Sequence, residues 1–178
     1  MQSKVKYMAL MTAFWAAPAI YGQLGFDLGS IPVQIHGFAQ QGYLDSNQNN
    51  YLTMPTSQGS FAMTDAGVNV SATITDKFRV GAQVYDRNIG DLGNDHPQLD
   101  WAFGDYKFKD WFGIRAGKVK TVLGLYNDTQ DMEFLQTFAI LPQGIYPLDL
   151  RSDTIAHTGG DIYGEAALRK AGSVSYTA

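Results

Sequence analysis

The chain has 178 residues, of which 45% are hydrophobic and 17% charged, a composition that suits one packed domain and excludes a disordered tail. Its formal net charge of -4 leaves no basic patch for a nucleic-acid backbone, so we expect no nucleic-acid partner. With no cysteine, the chain has no disulfide scaffold, no thiolate metal site and no thiol nucleophile. Its 19 glycines, 10 tyrosines and 10 phenylalanines favour strands and turns.

The N-terminus has the pattern of a secretory signal peptide. Lys4 and Lys6 precede an apolar run over residues 8–17, which small residues then follow. The run is too short for a membrane-spanning helix, which takes roughly 20 residues. We therefore expect a signal peptide over residues 1–22 and export of residues 23–178.

The next part of the chain alternates apolar and polar residues with a period of two. Between residues 62 and 74, Val68 and Val70 belong to an apolar parity, and the other parity is polar. The segment 78–87 repeats the pattern, with valines on one side and Arg79 and Arg87 on the other. A period of two predicts strands that have one apolar and one polar face.

Seven strands are predicted in this way, near residues 33–43, 62–74, 78–87, 99–108, 112–119 and 160–168, and from 173 to the end. Long connections at 44–60, 88–98 and 120–159 alternate with short ones at 75–77, 109–111 and 169–172. In an up-and-down antiparallel sheet, this alternation sorts the long loops to one end and the short turns to the other. Transmembrane β-barrels have this arrangement. A soluble sandwich gives no reason for such sorting.

Strand length and aromatic placement favour the same architecture. The segments run to about 9–11 residues, the length that crosses a bilayer at a tilt. Aromatic residues cluster near the strand ends, as in an interfacial girdle. Those beside short turns are Phe78, Trp111 and Phe112, and those near long loops are Tyr43, Tyr51 and Tyr85.

One strand does not fit this scheme. Leu99, Trp101 and Phe103 are expected to face lipid, but the same parity continues to Asp105 and Lys107. Either a bulge shifts the register, or the charged pair lies beyond the hydrocarbon near the turn.

The stretches VGAQVYDRNIGDLG, LDWAFGDYKFKDWFGIRAGKVKT, GLYNDTQDMEF and ILPQGIYP resemble the porin superfamily of Gram-negative outer membranes. The resemblance runs from about residue 35 to 176. It implies an all-β, up-and-down antiparallel transmembrane β-barrel of about 16 strands, often trimeric, whose third outer loop folds into the pore. Counting connections makes 120–159 that third loop.

About seven strands do not complete such a barrel, because the smallest single-chain membrane barrels need about 8. The last residues, from Ser173 to Ala178, lie within a predicted strand and lack the terminal aromatic that is usual in these barrels. We therefore expect the N-terminal portion of a longer porin, with an incomplete barrel.

The resemblance also implies a constriction where basic residues of the wall face acidic residues of the third loop. Charges at a narrow point of a water-filled pore sort solutes by sign. Lys118 lies where the family places a wall arginine, but it shares the parity of Ile114 and reaches the lumen only if the strand kinks at Gly117. The other pore-lining candidates are the wall residues Arg79, Arg87 and Arg115 and the loop acids Asp128, Asp131 and Glu133.

Enzyme signals are weak. His36, His96 and His157 are far apart and lack metal-ligand spacing. The chain has no nucleophile elbow and no phosphate-binding loop of the Gly-Lys-Ser type. We expect no enzymatic activity, no cofactor and no metal site.

The sequence thus predicts a porin of a Gram-negative outer membrane, for passive diffusion of small hydrophilic solutes or ions. The expected partners are those solutes, outer-membrane lipid and, for the full-length protein, two further copies in a homotrimer. The alternative is a secreted soluble β-sheet protein that binds a carbohydrate or another surface ligand with its aromatics. The two hypotheses differ in whether the apolar parity points to lipid or into a core.

Overall fold

The computed structural model describes residues 20–122, 124–126, 130, 135–138, 140–168 and 172–178. Within these residues the protein is all-β, as predicted. Helical structure there includes a 3-10 turn at Thr56–Gln58 and a single helical turn, α1, at Arg151–Thr154. No helix in the described ranges is long and apolar enough to cross a membrane.

Eight strands form one antiparallel sheet in which spatial order follows chain order. Each strand pairs with the next one along the chain. In the described residues β1 pairs only with β2, and β8 only with β7, so the sheet is open at both edges. The strands are β1 Ile20–Leu28, β2 Ile31–Leu44, β3 Ser60–Thr75, β4 Phe78–Ile89, β5 Gln98–Lys109, β6 Phe112–Lys120, β7 Ala156–Ala167 and β8 Ser173–Thr177.

The connections alternate in length as the sequence predicted. Short turns join β1 to β2, β3 to β4, β5 to β6 and β7 to β8, all at one end of the sheet. At the other end, long connections span residues 45–59, 90–97 and 121–155. The last of these, called here the long connection, ends four residues earlier than predicted, because β7 begins at Ala156 rather than Gly160.

The prediction of seven strands was short by one, because β1 was assigned in part to the signal peptide. Its residues 23–28 do alternate, with Leu24, Phe26 and Leu28 on one parity and Gln23, Gly25 and Asp27 on the other. Residues 20–22 were assigned to the predicted signal peptide because they closely follow its apolar run. Residues 1–19, which hold most of that segment, lie outside the described residues.

The two faces of the sheet differ in composition across many strands. Cross-strand pairing aligns Ile35, Val70, Ala82 and Ala102 in one row of the apolar face. Residues that pair directly across an antiparallel sheet share a face. The apolar face is open: Val68 is 57% exposed and Val84 49% exposed. No second layer of described residues covers it.

Strand β5 carries a bulge that the sequence left undecided. Gln83 pairs with Trp101 and Val84 with Leu99, which makes Asp100 the extra residue. Leu99 therefore faces the apolar side. The expectation that Trp101 and Phe103 face lipid was wrong, because they share the polar face with Asp105.

The polar face is partly covered at the long-loop end. Met54, Met63 and Ile89 form a small buried cluster there, and Ile140 and Leu148 of the long connection pack against it. A second cluster joins Trp101 to Ile155 and Ala156. The long connection therefore lies against the polar face of β3 to β5.

Candidate functional site

A row of alternating charge crosses four strands on the polar face. Arg79 of β4 pairs with Asp105 of β5, which pairs with Arg115 of β6, which in turn pairs with Asp161 of β7. These four residues are called the charged row. Period-two alternation places all of them on one face, and the antiparallel register brings them to one level of the sheet.

Asp105 is the hub of the charged row. One of its carboxylate oxygens lies 3.2 Å from Nη2 of Arg79 and 3.5 Å from Nη2 of Arg115. Its other oxygen accepts a hydrogen bond from the hydroxyl of Tyr163. The Asp105 side chain is 7% exposed, whereas the Arg79 side chain is 51% exposed. The buried acid is thus fully partnered, and Arg79 presents charge to solvent on the polar face.

Aromatic rings hold the guanidinium groups in place. The Arg115 guanidinium carbon lies 4.8 Å from the ring centroid of Phe103 and 5.2 Å from that of Tyr163. Arg79 lies 5.7 Å from the same Phe103 ring. Such cation–π contacts restrict the arginines without removing their charge. Gly113 makes room for Tyr163, since a Cβ there would clash with the phenol ring.

The acidic end of the charged row is held by a histidine. One oxygen of Asp161 lies 3.1 Å from Nε2 of His157, whose Nδ1 lies 3.3 Å from the hydroxyl of Thr121. The row borders a groove of about 550 Å³ on the polar face, which is also lined by Lys107, Lys120 and Glu165. The groove carries both signs of charge.

A second charged network lies nearer the long loops. Arg151 of α1 binds Asp100 of β5 through two hydrogen bonds of 2.6 and 2.8 Å, and both side chains are 5% exposed. Gln83 donates to the same carboxylate at 3.0 Å, and Asn69 donates to Gln83. The Arg151 guanidinium lies 3.8 Å from the ring centroid of Tyr85. Tyr85, predicted for the aromatic girdle, is instead buried on the polar face.

The structure brings two of the predicted wall residues together. Arg79 and Arg115 meet at Asp105. Arg87 lies nearer the long loops, where its Nη1 donates to the carbonyl of Leu148 at 2.6 Å. The predicted loop acids Asp128, Asp131 and Glu133 lie outside the described residues.

Lys118 does not join the charged row. It pairs with Ala102, in the row of the apolar face, and its ammonium group donates to the carbonyl of Leu99 at 2.6 Å. Gly117 does have a positive φ of 134°. A kink at Gly117 was the condition for Lys118 to reach the lumen, but Lys118 remains in register with the apolar row.

Several residues of the site were not among the predicted ones: Asp100, Asp105, Arg151, Asp161 and Tyr163. Asp105 was visible only as a charge within a predicted strand, because its position opposite two arginines depends on the register between strands. Arg151 had no such signal, since it lies in a connection and its partner is 51 residues away in sequence.

Within the described ranges, no group of three or more His, Cys, Asp or Glu residues is placed to hold a metal ion. The chain matches no family model, and no curated protein or solved structure is similar to it at a significant level. The chemistry of the site therefore has to be argued from its own geometry. Fixed charges of both signs along a water-accessible groove attract and orient small charged or dipolar solutes.

Proposed function

We propose that the chain forms part of the wall of a porin in a Gram-negative outer membrane, through which small hydrophilic solutes or ions diffuse passively. One observation carries the proposal: within a single sheet the apolar face is exposed and the polar face holds the buried charges. Soluble proteins rarely leave a contiguous apolar surface of this extent uncovered. In a membrane barrel, lipid covers that face and the polar face lines water.

The aromatic residues support this orientation. Phe78, Tyr106, Phe108, Trp111 and Phe112 form a continuous set of ring contacts at the short-turn end, with centroid separations from 4.6 to 6.4 Å. Tyr43 and Phe61 form a similar pair at the long-loop end, 4.6 Å apart. Aromatic rings at both ends of an aliphatic band are what the two interfaces of a bilayer favour.

A working pore further requires that the free edges of β1 and β8 be paired. Unpaired backbone groups in hydrocarbon cost several kcal/mol each. The resemblance to porins implies further strands that close the barrel and assembly into a homotrimer. Export by the predicted N-terminal signal would carry the protein across the inner membrane, a step that every outer-membrane protein requires.

Solute uptake tests the proposal. The protein is expressed in a Gram-negative host that lacks its own major porins, and the entry of hydrophilic solutes of graded size is measured. We expect the protein in the outer-membrane fraction and faster entry of the small solutes alone. A protein that stays folded and soluble, as the carbohydrate-binding alternative requires, contradicts the proposal. Insertion without any rise in uptake contradicts it as well.

A matched pair of variants tests the charged row. Arg79→Glu reverses the exposed charge that borders the groove, whereas Lys109→Glu makes the same charge change at the turn, outside the groove lining. We expect Arg79→Glu to shift ion selectivity toward cations and Lys109→Glu to leave it unchanged. Equal shifts in both variants would mean that the charged row does not face the permeation path.

A further inference from the structure

The ion pair between Asp100 and Arg151 joins a strand to the long connection, whereas the ion pairs of the charged row join neighbouring strands. Arg79, Asp105 and Arg115 all lie on neighbouring strands of the wall. Arg151 instead belongs to the long connection, and Asp100 belongs to the wall. The pair therefore fastens the long connection to the polar face of the sheet.

The wall is built locally to receive Arg151. The bulge in β5 makes Asp100 an extra residue, and bulges commonly redirect a side chain. Gln83 donates to the Asp100 carboxylate, and the Tyr85 ring lies under the guanidinium. Two parallel hydrogen bonds fix the arginine in direction as well as in distance, which a lysine cannot do.

Several other contacts between the long connection and the sheet are less buried than the Asp100–Arg151 pair. Arg87 donates to the carbonyl of Leu148, but its own side chain is only half-buried. Ile140 and Leu148 are only partly buried against the cluster at the long-loop end. The Asp100–Arg151 pair is the fully buried charged contact of this set, and breaking a buried ion pair costs more than breaking an exposed one.

The position of the pair relates it to the charged row. Asp100 and Asp105 lie on the same strand, five residues and roughly 15 Å apart at the usual rise of a strand. The part of the long connection that carries Arg151 therefore lies about 15 Å from the charged row, on the side of the long loops. A segment held there narrows the space through which a solute reaches the row.

We infer that Arg151 is a positioning residue, which holds the long connection against the wall through Asp100 and so sets the free cross-section of the pore. This inference rests on the proposed function for its second half. The first half, that Arg151 holds the connection, concerns the folded protein alone and is tested without any measurement of transport.

Amide exchange of the protein in detergent micelles tests the holding role. The amides of Ile145, Tyr146 and Leu148 are hydrogen-bonded within the long connection, so they report its local opening. Arg151→Met is expected to speed their exchange about 100-fold, while exchange in β2 to β4 changes less than about twofold. The control Asp110→Asn breaks an exposed pair at the β5–β6 turn, at the opposite end of β5 from Asp100, and should change neither.

Rescue separates positioning from a general loss of packing. Because the chain has no cysteine, Asp100→Cys with Arg151→Cys can be bridged cleanly by a short bifunctional thiol reagent. The bridged protein should recover slow exchange in the long connection, and the unbridged one should not. Arg151→Lys keeps the charge but loses the second hydrogen bond, so we expect an intermediate rate.

Uptake by the same variants tests the second half. We expect Arg151→Met to admit larger solutes than the unaltered protein does, and the bridged double variant to restore the original limit. Unchanged exchange of the long-connection amides in Arg151→Met overturns the holding role. The same conclusion follows if, in both Arg151→Met and Arg151→Lys, exchange in the strands is accelerated as much as exchange in the long connection. Faster exchange with an unchanged size limit overturns the role in setting the cross-section. Absence of uptake by the unaltered protein overturns the proposed function instead.

Discussion

The two faces of the sheet reverse the usual relation between polarity and burial. On the apolar face, valines such as Val68 and Val84 are about half exposed. On the polar face, Asp65, Asp100, Asp105 and Asp161 are all buried. The acids can be buried because they have arginine, tyrosine and glutamine partners and because the long connection covers part of that face. The exposed valines are stable only if an apolar medium surrounds that face of the protein.

The largest expected effect comes from moving a charge between the faces. Val70 and Ser71 are neighbours on β3 and point to opposite faces, so the change of each to arginine forms a matched pair. Val70→Arg should lower the free energy of unfolding from lipid vesicles by about 2–4 kcal/mol, since it places a charge in hydrocarbon. Ser71→Arg should lower it far less. Urea titration in vesicles measures both, and equal losses would contradict the assignment of faces.

A smaller effect is expected within the polar face. Asp105→Ala removes the counter-ion of Arg79 and Arg115 and the acceptor of the Tyr163 hydroxyl. We expect a loss of about 2 kcal/mol in the free energy of unfolding, less than for a fully buried pair because Arg79 is half exposed. Asp105→Asn, which keeps the shape and an acceptor oxygen, should lose less. If Asp105→Ala leaves the free energy of unfolding unchanged, the charged row does not stabilise the wall.

The aromatic group at the short-turn end should contribute less again. Trp111 is 59% exposed and its ring lies 5.8 Å from that of Phe112. Trp111→Ala should lower the free energy of unfolding from vesicles by about 1 kcal/mol. Leu125→Ala, a truncation of an even more exposed side chain in the long connection, is the control and should have no effect. A larger loss for Leu125→Ala would mean that the aromatic group does not lie at an interface.

The smallest effect concerns the exposed pair at the β5–β6 turn. The hydrogen bond from Lys107, 2.8 Å from Asp110, and its positive charge lower the pKa of the Asp110 carboxyl. A lowered folded-state pKa stabilises the protein above the ordinary value of 3.8, and this contribution disappears as the pH falls through the folded-state value. Because Asp110 is fully exposed, salt screens the pair. Asp110→Asn should leave the urea midpoint at neutral pH unchanged in physiological salt, and a clear shift would contradict this.

The sequence was most informative where one strand has one regular period. Along residues 66–72 of β3 and 79–84 of β4 the alternation is regular, so it predicted both strands and which of these residues share a face. In β5 the bulge at Asp100 breaks the period of two. On the polar face, the Phe103 ring contacts Arg115 and the Trp101 ring packs against Ile155. The sequence analysis assigned these rings to lipid because they are hydrophobic. Hydrophobicity does not show whether a ring has a cation as its partner.

The candidate site was predictable in part for the same reason. Arg79 and Arg115 were found from parity within their own strands. Their meeting at Asp105 depends on the register between strands, which a single sequence does not fix. Arg151 depends on how the long connection folds back, and no local period describes that path.

The central claim is that hydrocarbon covers the apolar face and water covers the polar face. Single cysteines at Val68 and Val84, and at Ser71 and Thr73, can each carry an environment-sensitive fluorophore, since the chain has no cysteine of its own. In vesicles we predict that lipid-borne nitroxides quench the first two labels and aqueous iodide the last two. Iodide quenching of all four labels, or nitroxide quenching of the Ser71 and Thr73 labels, would contradict the account.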